Sequence, residues 1–541
     1  MCDTHHKNFT PQPGSCNTKE HKKWNRRSFL QALGIVGGGT VAFANTALSV
    51  SKPSPLSAAL NDTETDRVLV IVRLKGGNDG LNTVIPLNQY DSYANARPNI
   101  RIRENQLFNL TDEYGMPNYA NKFEQLWGNG QMKIIHGVGY EQSALSHFTG
   151  SDIWATSDVT DQETSGWMAR YFENIYPDYL LNPPEKPAAI QIGSSGNLIF
   201  NGDQNNFAFS VADPKKLFEI AQNGALYDLN NLPDCTHGEK VGYLKGVANT
   251  TFTYAGVINE AYESTSDFGN YPDNKLSQQL SVVSRLIKGN LGTKVYFVTL
   301  GGFDTHNDQL NRQEQLITQL SETMEHFYKD LTDAGWDDKV LSMTISEFGR
   351  RVKENGSRGT DHGTAAPMML FGTGLDGNGF IGEHPDLSNL NQNGNLYNTN
   401  DFRQAYASIM KEWLCVDSGL VDEILLGQEY NSLDLGFNCN SLGTDDNDGD
   451  LPPTFENFNH TVTYTDNQSY IHITNAQAGH TNVDLYSMSG QKIANLKNEV
   501  LLEGEHVINV KEAAKTTLSE GFYAYRITKN KKSYSKPVLI L

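Results

Sequence analysis

Along most of the chain, short and nearly uninterrupted apolar runs alternate with longer stretches of helical period. The runs R-V-L-V-I-V-R-L (67–74), M-K-I-I-H-G-V (132–138), T-K-V-Y-F-V-T-L (293–300) and V-L-S-M-T-I-S (340–346) carry apolar residues on both alternating sets of positions. That is the pattern of strands covered on both faces of a parallel sheet. Between the last two, residues 311–331 place Leu316, Leu320, Met324, Phe327 and Leu331 at helical spacing, with charged residues opposite. Strand, helix, strand in this order is a βαβ crossover, so the pattern predicts an α/β domain over residues 62–440, with a central, mostly parallel sheet and helices on both faces. Ligands of such sheets gather at the carboxyl ends of the strands. After Phe455 the period changes to two: T-V-T-Y-T, Y-I-H-I-T, V-D-L-Y-S, H-V-I-N-V, F-Y-A-Y-R-I and P-V-L-I-L read as six short strands. They predict a small all-β sandwich over 455–541.

Length agrees with this division, since 541 residues exceed one average domain. Residues 441–454 are acidic and poor in apolar side chains, which makes them a linker. Their D-D-N-D-G-D run offers calcium-type carboxylates but lacks the full loop spacing and its closing Glu. Residues 1–50 hold Lys22, Lys23 and the pair Arg26-Arg27, then a Gly/Ala-rich apolar run from Ala32. This is the layout of a signal peptide, with Ala42-Phe43-Ala44 as a small-x-small cleavage site; a membrane anchor is the alternative, disfavoured by Gly37-Gly38-Gly39. No transmembrane anchor is expected in the mature chain. The net charge of -20 argues against nucleic acid as a partner, because phosphate binding needs cationic surface. Of five cysteines, Cys2 and Cys16 leave with the signal, and Cys235, Cys415 and Cys439 allow one bridge that the sequence does not choose.

Candidate chemistry lies in four segments of the large domain, each following an apolar run. L-K-G-G-N-D-G-L-N (74–82) presents Asp79 behind a Gly-rich turn, as a ligand or as a helix cap. S-A-L-S-H-F-T-G-S-D-I-W (143–154) holds Ser146, His147 and Thr149. Adjacent residues on a helix point about 100° apart, so His147 is poorly placed as the base for Ser146, whereas a metal ion can activate that hydroxyl. G-G-F-D-T-H (301–306) puts Asp304 and His306 two apart, a workable metal pair or a capping Asp beside a solvated His. S-E-F-G-R-R (346–351) and D-H-G (361–363) supply Glu347, Arg350, Asp361 and His362; the arginines can grip an anion or be surface charges.

Taken together, the Arg-Arg signal, L-x-G-G-x-D-G-L-N, S-H-F-x-x-x-D-I-W, G-G-F-D-T-H, S-E-F-G-R, D-H-G and D-F-R-Q-A-Y-A-S-I-M-K-E-W-L (401–414), in this order, resemble the domain-of-unknown-function 1501 family over about residues 27–436. That family is grouped with the alkaline phosphatase and sulfatase superfamily, so the resemblance implies an alkaline phosphatase-like domain and a metal-dependent ester-hydrolase ancestry. It implies Asp304 and His306 as counterparts of the superfamily's Asp-x-x-x-His pair. The strand-ending Asp-His-Gly matches Asp361-His362-Gly363 by text, or Glu347-Phe348-Gly349 by position, with His362 then the later metal histidine. Lys75 falls where the first-strand Asp belongs, Asp79 substitutes for it, and the resemblance implies Ser146 or Thr149 as the nucleophile. No Cys-x-Pro-x-Arg is present, which disfavours modified-cysteine sulfatase chemistry. The C-terminal unit, with N-V-D-L-Y-S-M-S-G-Q-K-I-A and E-G-F-Y-A-Y-R-I-T, resembles a type A sorting domain of the type IX secretion system, and the Arg-Arg segment a twin-arginine signal. Both imply an exported protein that passes the periplasm and is secreted or attached at the cell surface.

The expectation is a hydrolase of phosphate or sulfate esters, acting on a small anionic ester or a glycan-linked ester. One or two divalent ions (zinc, manganese, calcium or magnesium) held by Asp79, Asp304, His306, Glu347, Asp361 and His362 would offset substrate charge and activate Ser146 or water. Arg350 would hold a non-bridging oxygen. The alternative is an inactive phosphatase-like surface protein acting in binding or assembly. A glycan-binding sandwich would need an exposed aromatic row, for which Tyr523 with Tyr525 is the candidate.

Overall fold

The computed structural model describes residues 66–540 apart from short internal stretches, the longest of them 223–235 and 440–457. The expected signal peptide, acidic linker and Met-Ser-Gly turn at 488–490, and Cys235, therefore lie outside the described residues.

The four apolar runs form strands β1 (Val68–Lys75), β2 (Met132–Gly139), β5 (Val295–Gly301) and β6 (Val340–Ile345). With β3 (Ala189–Ile192), β4 (Ala208–Val211), β7 (Ala366–Phe371) and β8 (Gly379–Ile381) they make one sheet, ordered β8-β2-β7-β6-β1-β5-β3-β4. A ninth short strand, Asn400–Asp401, pairs with β2. Pairing is parallel except at β7, which runs antiparallel to both β2 and β6. The sheet is thus mixed, yet β1, β2, β5 and β6 all point the same way. Their carboxyl ends share one edge, the edge at which open α/β sheets assemble sites.

Burial follows the pleat. Val68, Val70, Val72 and Leu74 of β1 enter a large core with residues of the helices Asn121–Gly128, Thr236–Glu263, Lys275–Lys288 and Gln309–Asp333. Leu69, Ile71 and Arg73 occupy the alternate positions, toward the other face. The helix predicted over 311–331 spans Gln309–Asp333 and buries Leu316, Leu320, Met324, Phe327 and Leu331. A disulfide joins Cys415 and Cys439.

The C-terminal unit consists of two antiparallel sheets, one of three strands (β9 Phe458–Thr465, β10 Gln468–Asn475, β13 Gly504–Asn509) and one of four (β11 Gly479–Ser487, β12 Lys492–Leu501, β14 Gly521–Lys529, β15 Lys532–Ile540). Ile471, Ile473, Val483, Leu485, Tyr525, Ile527 and Val538 share its core. The unit has seven strands, not the expected six. The extra one, β12, has only two buried residues in ten, so its sequence shows no clean alternation. Tyr525 is fully buried, so it and Tyr523 do not form an exposed aromatic row.

Closing a loop of this length limits the unfolded chain, so the bridge with its 24-residue separation should contribute about 3 kcal/mol. The double variant Cys415→Ala/Cys439→Ala should show that loss in denaturant unfolding; unchanged stability would contradict it.

Candidate metal centre

Loops from the carboxyl ends of β1, β2, β5 and β6 meet at one place, and two charged residues of S-E-F-G-R determine how. Glu347 is buried beside the Gly76-Gly77 turn, and one of its oxygens accepts the N–H groups of Gly76 (2.7 Å) and Gly77 (3.1 Å). Its other oxygen accepts from Arg73 (3.0 Å). Arg350, equally buried, takes the opposite polarity of the same turn: it donates to the carbonyls of Gly77 (2.9 Å) and Gly76, and also to Phe303 (3.0 Å) and Thr360 (2.9 Å). Its remaining contact is the carboxylate of Asp304, at 2.6 Å. Glycine is required at the turn, because Gly76 has φ +122° and a Cβ there would meet the Asp304 nitrogen at 2.4 Å.

Asp304 is thereby fixed at the mouth, and three imidazoles converge on it. His306 Nε2 lies 3.1 Å and His362 Nε2 3.2 Å from Asp304 Oδ1, and His147 Nε2 lies 3.5 Å from Oδ2. The Nε2 atoms of His306 and His362 are 3.0 Å apart. One ligand atom each of His147, Asp304 and His362 falls within 4.8 Å of the others. The Phe348 ring backs the group, 5.0 Å from the His147 ring and 4.5 Å from that of His362.

Second contacts fix which nitrogen faces inward. His362 Nδ1 bonds the Leu145 carbonyl (2.7 Å), which only accepts, so Nδ1 carries a proton and Nε2 faces the centre, with a lone pair in the neutral ring and as a donor to Asp304 in the imidazolium. His306 Nδ1 does the same toward Asp361 Oδ1 at 3.3 Å. Asp361 in turn takes a hydrogen bond from Asn355 (3.3 Å). That contact, ahead of an opposing burial effect and then His306, holds the Asp361 carboxyl below its ordinary range. With both rings neutral the two Nε2 lone pairs would face each other at 3.0 Å and repel, so a proton or a cation belongs between them. Ligand nitrogens around a tetrahedral zinc sit about 3.3 Å apart, given bonds of about 2.0–2.1 Å, so the donors present fit a divalent ion. A carboxylate behind one metal-binding imidazole and a carbonyl behind another are the usual orienting groups.

The structure redistributes the residues expected from sequence. It brings together Asp304, His306 and His362, with Asp361 behind His306. His147, expected near the nucleophile, belongs to the same convergence. Asp79 does not: it is fully buried, and both its oxygens are taken by Arg97, at 2.7 and 2.9 Å. Gln309 also donates to it. Glu347 is likewise withdrawn as a ligand, being held by the Gly76-Gly77 amides and Arg73. Arg350 is withdrawn from the anion-gripping role, since its guanidinium is enclosed by carbonyls and Asp304. Ser146 stands exposed at the N-cap of helix α1 (His147–Thr156), and among the described residues its hydroxyl has no partner. The residues on either side of it both touch the cluster, Leu145 through its carbonyl and His147 through its ring. Arg97 and Arg73 escaped the sequence reading, because nothing in A-N-A-R-P or V-I-V-R-L marks a cation that will pair deep in the fold.

Burial pushes the Asp304 carboxyl up, but the hydrogen bonds from Arg350 and His362 and the charges of Arg350 and His306 outweigh it and hold the group at about 2. The folded value lies below the ordinary 3.8, so this pairing favours the folded state above about pH 4 and is lost as pH falls through about 2. Nearly half of the side chain is exposed, which limits the effect. With a chelator present, the stability advantage of the parent over Asp304→Asn should shrink as pH drops from 5 toward 2; an advantage that grew on acidification would contradict the pairing.

A family of proteins of unknown function (DUF1501) matches residues 259–410, which contain Asp304, His306, Asp361 and His362 but not His147. This is narrower than the span suggested by the motifs. Among solved structures, a protein of the alkaline phosphatase superfamily from Vibrio parahaemolyticus is 9% identical, with 84% of this chain and 85% of that one covered and a TM-score of 0.28. Lipoteichoic acid synthase from Listeria monocytogenes is 10% identical, with 83% and 90% covered and a TM-score of 0.31. Alkaline phosphatase from the Antarctic bacterium TAB5 is 11% identical, with 58% and 94% covered and a TM-score of 0.24. No curated protein matches.

Proposed function

We propose that the chain is an exported hydrolase of phosphate or sulfate esters that works with a divalent metal ion held by His147, Asp304, His306 and His362. The observation that carries this reading is the inward convergence of imidazole nitrogens on one ionised carboxylate, with the Nε2 atoms of His306 and His362 3.0 Å apart. The likeness to phosphatase-superfamily structures is in keeping with it.

A bound ion would supply Lewis acidity toward an ester oxygen and lower the pKa of a coordinated hydroxyl or water. The protein's own contributions follow from the geometry. Arg350 keeps Asp304 ionised and aimed at the mouth, acting as a positioning residue. Asp361 and the Leu145 carbonyl hold the tautomers of His306 and His362. Ser146 offers an exposed hydroxyl at the first turn of α1, where unpaired N–H groups and the helix dipole favour a developing anion. Serine as nucleophile, or a water in its place, belongs to the same proposal. So do export through the periplasm, handling of the C-terminal unit by the type IX secretion machinery, and release or attachment at the cell surface.

Elemental analysis of the purified chain decides the central point. About one equivalent of zinc or manganese is expected, falling to background in Asp304→Ala and His362→Ala, together with turnover of an aryl phosphate or aryl sulfate. Background metal in the parent would leave the alternative, an inactive binding or assembly protein. A finer test uses the residue behind His306: Asp361→Asn should weaken metal affinity by about 10–100-fold while the fold is retained, as loss of an orienting carboxylate does. Unaltered affinity would place Asp361 outside the centre.

A further inference from the structure

One helical turn along α1 from His147 lies a second concavity, separate from the metal cluster. It is a cleft of about 240 Å³ lined by Arg73, Ser151, Asp152, Trp154, Asn197 and Ile199, among others. Ser151 is four residues from His147 on the same helix face, about 6 Å on. Its hydroxyl accepts from Arg73 (2.7 Å), and the same Arg73 nitrogen binds the buried Glu347. Glu347 adjoins Phe348, the ring that backs the cluster. The cleft and the centre are thus neighbours across one residue of one segment.

Its polar groups are unevenly satisfied. Asp152 has no hydrogen-bond or ion-pair partner among the described residues. Burial, then Asp161, push its carboxyl up against the opposing pull of Arg73. Arg73 uses only one of its nitrogens, and Asn197 accepts from Ile199 N (3.0 Å) through its oxygen, which leaves its amide N–H groups available. The cleft therefore offers open donors from Arg73 and Asn197 and an open acceptor from Asp152.

Charge narrows what fits. A phosphate or sulfate would face Asp152 and Glu347 against a single guanidinium already paired. An ammonium would meet Asp152 but also Arg73, and would give the Asn197 N–H groups nothing to bond. A hydroxyl both donates and accepts, so several hydroxyls on one frame satisfy both kinds of group, while Ile199, Leu198 and Ile345 give an apolar wall for ring carbons. The volume suits one ring rather than a chain. We infer that this cleft is a subsite for a single polyhydroxylated ring, the sugar-like alcohol half of the ester cleaved at the metal centre. The inference rests on the ester-hydrolase reading for the ring's role and on the cleft alone for its binding.

The test titrates free glucose, galactose, mannose, fucose and N-acetylglucosamine against the full chain, by saturation-transfer NMR, with metal content measured on the same samples. At least one sugar should bind saturably. Asn197→Asp, which keeps the oxygen that accepts from Ile199 and removes the N–H groups, and Asp152→Asn should each weaken it about fivefold or more, with unchanged metal content and melting temperature. No saturable binding of any of the five, or unchanged affinity in either variant, as when the sugar sits on another part of the chain, overturns the subsite. Sugar binding by a metal-free parent would keep the subsite and remove the hydrolase reading; metal without sugar binding would do the reverse.

Discussion

A single buried guanidinium, that of Arg350, holds the carboxyl edge of the sheet together. A cation without water must be surrounded by acceptors, or the fold loses several kcal/mol. Arg350 finds them on three separate loops: Gly76 and Gly77 after β1, Phe303 and Asp304 after β5, and Thr360 ahead of His362. Glu347, three residues earlier, binds the amides of the same glycine turn. Opposite charges thus grip the two polarities of one backbone turn, and no side chain fits between. A Cβ at Gly77 would lie 2.5 Å from the Phe348 ring, as one at Gly76 would strike Asp304. The G-G of β1's exit and the E-x-x-R of β6's exit are therefore one device written in two distant places.

A second buried pair does comparable work beneath the first. Arg97 binds both oxygens of Asp79, the carbonyls of Val352 and Arg351, and Asn82. Gln309, at the start of the long helix, donates to Asp79 and accepts from Thr360 (2.6 Å) and Thr305 (3.2 Å). The Thr305 and Thr360 contacts tie the loops carrying Asp304, His306 and His362 to this layer. The acidic residues of the edge thus divide by environment. Asp79 and Glu347 are buried and paired with cations or amides, whereas Asp304 and Asp361 are about half exposed among imidazoles. Only the second group has lone pairs to offer a ligand.

Elements with a strong period were legible in the sequence. The four apolar runs and the amphipathic helix stand where their patterns placed them, because burial on both faces or one stripe leaves a direct trace in residue type. The antiparallel course of β7 left none, since A-P-M-M-L-F is equally suited to either direction. β12 was invisible because an exposed strand needs no alternation. Within the site, ligand-type residues were recognisable as types, but their division into ligands and structural ions was not. An aspartate looks the same in text whether it meets water or Arg97, and no fixed spacing marks the deciding cations, with Arg97 18 residues from Asp79 and Arg73 274 from Glu347. Tyr525 shows the same limit in the sandwich, where period two places it on a face without saying that the face is covered.

This division bears on how many ions the proposed centre can hold. The sequence offered six possible ligands, enough for two metals. Recruiting Asp79 would strip Arg97 of its carboxylate in a fully buried position, and recruiting Glu347 would free both Arg73 and the amides of the glycine turn. Breaking either buried pair from one side costs about 3–5 kcal/mol before any metal bond forms. The donors that face the mouth are the three imidazoles and the Oδ2 oxygen of Asp304, whose Oδ1 stays with Arg350, and Asp361 stands behind them. His147, Asp304 and His362, whose ligand atoms lie within 4.8 Å of one another, would hold one ion, with His306 beside them. The proposed chemistry is accordingly that of one ion, with the helix terminus at Ser146, rather than a second metal, facing the other side of the substrate.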